Sequence, residues 1–87
     1  MAVEIDKEAL AIAADERANN AEERAARARC HAEIASTNAQ DDAAAGNAEF
    51  QARHSREAEL HQRAAAHHVA AAAVQRSHAA HMRGIAE

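Results

Sequence analysis

The sequence predicts an all-α fold, a long antiparallel two-helix hairpin, and three observations carry that prediction. The 87 residues include 29 alanines, one Phe, two Gly and no Pro, Trp or Tyr, so the turn punctuation and the β-branched or aromatic runs of a sheet are missing. Alanine recurs at 11, 14, 18, 21, 25, 28, 32, 35 and 39, an unbroken 3/4 alternation over four heptads. Mid-chain stands one Gly-Asn pair, Gly46-Asn47, suited to ending one helix and starting the next.

The first helix is expected from about residue 6 to 44. Asp6 can cap the amides of the following turn, Glu8 suits the positive end of the helix dipole, and Ile5 with Leu10 has hydrophobic-staple spacing. The turn falls at about 45–47, where Gly46 can take a left-handed conformation and Asn47 can cap the second helix, with Glu49 in its first turn. The second helix runs to about 84, with Arg76, His78, His81 and Arg83 near its negative end and Gly84 as terminator. Pairs four residues apart, Glu23/Arg27, Arg29/Glu33, Glu49/Arg53 and Glu59/Arg63, mark the remaining faces as solvated.

A row of methyl-sized residues lets a partner backbone approach closely, so the partner face should be small as well. Ala66, Ala70, Ala73, Ser77, Ala80 and Gly84 supply such a face at 4/3 spacing. A turn at Ala45-Gly46 would set Ala11 opposite Ala80, Ala14 opposite Ser77, Ala18 opposite Ala73, Ala21 opposite Ala70 and Ala25 opposite Ala66, all pairs whose numbers sum to 91. Sliding by a heptad still matches small with small, and nearer the turn the row meets Arg56, Glu59 and Arg63. A turn near Ser36, or a single unbroken helix pairing only between molecules, are the alternatives.

Twelve large apolar side chains cannot hold a conventional globular core when each buried methylene contributes about 0.8 kcal/mol and each ordered residue costs about 1.5 kcal/mol. Assembly into a four-helix or larger bundle, as a homo-oligomer or as a small subunit of a larger complex, is expected. The net charge is −4, and there is no basic block or aromatic platform for nucleic acid. Residues 1–43 carry ten acids and five bases, while residues 44–87 carry four acids, five bases and six of the seven histidines, so the halves are complementary. The most apolar run, Ala64 to Val74, contains His67 and His68 and is too short to span a bilayer. The acidic start, with Glu4, Asp6 and Glu8, reads as no secretory signal, and a cytoplasmic location is expected.

The histidines are the unusual functional groups. His54, His61 and His68 lie seven apart along one side of the second helix, with Glu57 at ligand spacing, and form a candidate metal site. The seam inferred above places all three farthest from the first helix, where water would compete for the metal. Cys30 and His61 also obey the sum of 91 but project outward from that seam, so no nucleophile-base pair is expected. A second stripe is more informative: Leu60, Ala64, His67, Ala71, Val74, His78, His81 and Ile85 repeat at 4/3 spacing, half apolar and half histidine. Buried between molecules, its imidazoles would resist protonation, and association would weaken on acidification.

No P-loop, dinucleotide loop, nucleophile elbow or His-Glu-x-x-His is present, and no Glu stands three residues before a His as di-iron bundles require. No catalytic residue and no cofactor are assigned. In size and hairpin shape the chain resembles the small exported hairpins of actinobacterial type VII secretion, which implies a helical hairpin effector. Their turn carries Trp-x-Gly and their tail a Tyr-based signal, and this chain has neither Trp nor Tyr. The expectation is a non-catalytic helical module that binds a protein partner, itself or a larger complex, through the Leu60 to Ile85 stripe. The alternative is a Zn- or Cu-binding protein using His54, Glu57, His61, His67, His68, His78 and His81.

Overall fold

The computed structural model describes residues 6–84. Within them the chain forms two α-helices, α1 (Lys7–Ala44) and α2 (Ala48–Met82), packed against each other along their length as an antiparallel hairpin. The expected contribution of Ile5 to a staple lies outside the described residues.

Both helix starts are capped by the expected side chains. The Asp6 carboxylate accepts a hydrogen bond from the Ala9 amide at 3.1 Å, and the Asn47 side-chain oxygen accepts from the Phe50 amide at 3.3 Å. Between them α1 ends in a six-to-one closure: the Asn47 amide donates to the Asp42 carbonyl at 2.8 Å and the Gly46 amide to the Ala43 carbonyl at 3.1 Å. That geometry needs a left-handed residue, and Gly46 supplies it at φ 74°. After α2, Gly84 takes φ 73° and its amide donates to the His81 carbonyl at 3.0 Å.

The nine alanines of the 3/4 row, Ala11 through Ala39, are all buried, with Ala11, Ala14 and Ala18 at 0% exposure. The second helix presents a face different from the expected one. Its buried residues are Ala58, Ala65, Ala72 and Ala79, seven apart, while Ala66, Ala70, Ala73 and Ser77 are exposed and Ala80 is half-buried. The seam is therefore turned by about 140° around the helix axis from the expected one.

The physical reason is complementarity of volume. Between the buried alanines of α2 stand His54, His61, His68, Gln75 and Met82, all half-buried. One helix thus offers a continuous methyl row, and the other alternates a methyl with a long side chain that fills the space the methyls leave. Two all-small faces would leave that space empty. The register stays close to the expected one: Ala11 and Ala14 cluster with Ala79 and Met82, and Ala18 and Ala21 with Ala72, so the clustered alanine pairs sum to 90 or 93 and bracket 91. Arg56, Glu59 and Arg63, which the expected register set against the alanine row, are exposed.

Two substitutions separate the two sides of α1. Ala18→Leu forces three extra carbons into a closed seam and should lower stability by about 1–3 kcal/mol, whereas Ala26→Leu, on the exposed side, should change it by less than about 0.5 kcal/mol. Urea unfolding followed by circular dichroism reads the difference.

Candidate functional site

A seam on one strip of each helix leaves two flanking edges, and they differ in chemistry. On the first edge, acids spaced by seven on α1, Glu8, Asp15 and Glu22, face Arg76 and Arg83 of α2. Arg83 spans Asp15 at 2.8 Å and Glu8 at 3.3 Å, and Arg76 reaches Glu22 at 2.8 Å and also donates to Asn19 at 3.0 Å. These contacts realise the acidic and basic halves read from the sequence. The hydrogen bonds from Arg83 to Asp15 and then Glu8 raise its pKa above the ordinary arginine value. A cation whose folded pKa is raised contributes stability that is complete below its unfolded pKa and is lost only as pH rises through the folded value. The Arg83 contribution is therefore constant across the neutral range, fading in strong alkali as the guanidinium loses its proton and in acid as the Asp15 and Glu8 carboxylates gain theirs.

Among the described residues, the ion pairs within 4.0 Å run between the helices, rather than along them as the four-residue spacings suggested. Arg53, expected to pair with Glu49, lies over the Phe50 ring at 5.3 Å from its centre.

The histidines gather at the seam and along the second edge. His54, His61 and His68, expected on the far side of α2, instead line the boundary with α1, because the seam is turned by more than a third of a revolution, about 140°. His54 Nδ1 lies 2.5 Å from the Asp42 carboxylate, closing the turn end, and its ring stacks on Phe50. His61 meets His31 of α1 edge to face, with ring centres 5.2 Å apart and planes at 68°. An open groove of about 190 Å³ lies beside this pair, lined by His31, Ile34, Ala35, Asn38, Glu57 and His61. Farther along the same edge Arg17 donates to Gln75 at 3.0 Å.

Thus the sequence picked out His61 and Glu57 but missed His31, because the expected seam turned His61 away from α1. Cys30 is exposed and lines a separate groove with Glu33, Ile34, Thr37 and Asn38. Among the described residues no three His, Cys, Asp or Glu side chains converge to hold a metal ion, so His54, Glu57, His61 and His68 do not form a shared site.

The expected partner stripe is at the surface. Leu60 is 55% and Val74 66% exposed, His67, Ala71, His78 and His81 are exposed, Ala64 is half-buried, and Ile85 lies outside the described residues. By helical phase Leu60, His67, Val74 and His81, seven apart, sit on the side of α2 away from Arg76 and Arg83. No described helix is long and apolar enough to cross a membrane. Comparison with family models, curated proteins and solved structures finds no match to this chain.

The turn-end contact is open to test. Asp42→Ala removes the acceptor that His54 meets at about one-quarter exposure and should cost about 1 kcal/mol. Amide exchange should quicken first around residues 42–54, leaving the Arg83 end protected.

Proposed function

We propose that the protein is a non-catalytic helical interaction module that assembles with a second copy of itself through the outer face of α2. One observation carries this reading: the large apolar side chains point outward. Leu10, Ile12, Ile34, Phe50, Leu60, Val69 and Val74 are 43–66% exposed, and no large side chain among the described residues is fully buried.

A chain that folded only for its own sake would place those groups in its seam. Here the seam holds methyls, which serve close approach, and leaves the stronger hydrophobic groups for another surface. The shape supports the same reading. The Cα radius of gyration is 19.6 Å, against about 12 Å for a compact domain of this length. The hairpin is a single layer of two helices, and stable domains are commonly built from two. A second hairpin laid on the Leu60, His67, Val74, His81 row supplies the missing layer as a four-helix assembly, the row's seven-residue spacing matching that of a bundle interface.

Sedimentation equilibrium at neutral pH is expected to give a dimer or higher multiple at tens of micromolar. The double variant Leu60→Ser/Val74→Ser should shift the protein towards monomer with α-helical content retained, while Gln62→Ala, on the opposite edge, should leave the mass unchanged. A wild-type protein monomeric at every concentration contradicts self-assembly.

A further inference from the structure

We infer that His31 and His61 form a two-imidazole clip for a divalent d-block cation, of which zinc is the test case, bridging α1 and α2 across the middle of the hairpin. The inference is independent of the association proposed above.

Geometry carries it. With Zn–N bonds of about 2.05 Å and a ring centre about 1.15 Å behind each donor nitrogen, two imidazoles at a tetrahedral angle have centres about 5.2 Å apart. The His31 and His61 ring centres are 5.2 Å apart. The rings therefore already sit at chelating separation, and the clip requires that rotation about the bond to each ring turn a nitrogen of each towards a common point. His31 is exposed and His61 half-buried at the seam boundary, so one ring is anchored by packing and the other is free to adjust.

The groove of about 190 Å³ beside the pair has room for the ion and for the waters that complete its coordination. Glu57 lines the same groove one helical turn before His61, where its carboxylate can accept a hydrogen bond from a metal-bound water. Imidazole nitrogen suits zinc and copper, and binding requires the neutral ring, so occupancy falls on acidification. The ligands come from different helices, so the bound ion ties α1 to α2 and stabilises the folded hairpin by mass action.

Zinc chloride added to chelator-stripped protein at pH 7.5 is the test, read by the circular-dichroism melting midpoint. A rise of at least about 4 °C at saturating zinc is expected for the wild type. It should vanish in His31→Ala, whose position is exposed and outside the seam, and persist in His78→Ala, an exposed histidine outside both the clip and the Leu60, His67, Val74, His81 row. An unchanged wild-type midpoint, or a rise of equal size in His31→Ala, overturns the clip. Should His31→Ala fail to fold, imidazole NMR signals decide in the wild type: His31 and His61 moving together at one equivalent of zinc supports the clip, and movement confined to other histidines overturns it.

Discussion

The structure depends on one packing arrangement: an uninterrupted row of methyl groups on α1 received by a row on α2 in which every other residue is also a methyl. Alanine carries no side-chain entropy to lose and has the highest helix propensity, so each position serves both the helix and the contact. The nine buried alanines of α1 leave a shallow channel along that helix. His54, His61, His68, Gln75 and Met82 lie along its margin, while Ala58, Ala65, Ala72 and Ala79 close against its floor.

From that arrangement the two edges acquire their characters. Residues flanking the seam on one side are Glu8, Asp15 and Glu22 against Arg76 and Arg83, a ladder that orients the helices antiparallel and favours the observed register. Exposed pairs of this kind contribute little energy singly. Their value lies in discriminating between heptad slides that the alanines alone would tolerate. On the other side the seam histidines meet His31 and Asp42, and Leu60 and Val74 sit beyond them on the outer face of α2. The chain is thus amphipathic at the level of the hairpin as well as of the helix.

The sequence made the first helix, both caps and the turn readable, because each rests on a local signal: Asp6, Gly46, Asn47 and a row of alanines set among charged neighbours. The phase of the second helix was not readable in the same way. Between 64 and 73 alanine fills seven of ten positions and so appears on every face, leaving several rows with the right spacing. Choosing the row with the most small residues ignored the volume that a methyl row leaves unfilled. That error of phase moved His54, His61 and His68 from the seam to the far side and hid the His31/His61 contact. A signal was present: the seven-residue spacing of Ala58, Ala65, Ala72 and Ala79 continues through His54, His61, His68, Gln75 and Met82 in strict 4/3 alternation.

Cysteine accessibility along α2 tests this packing most directly. In a Cys30→Ser background, single substitutions Ala65→Cys, Ala72→Cys and Ala79→Cys should resist alkylation by a soluble maleimide in the native state, while Ala66→Cys, Ala70→Cys and Ala73→Cys should react at rates close to those of the unfolded chain. Protection of 66, 70 and 73 with reactive 65, 72 and 79, or uniform reactivity at all six, would contradict it.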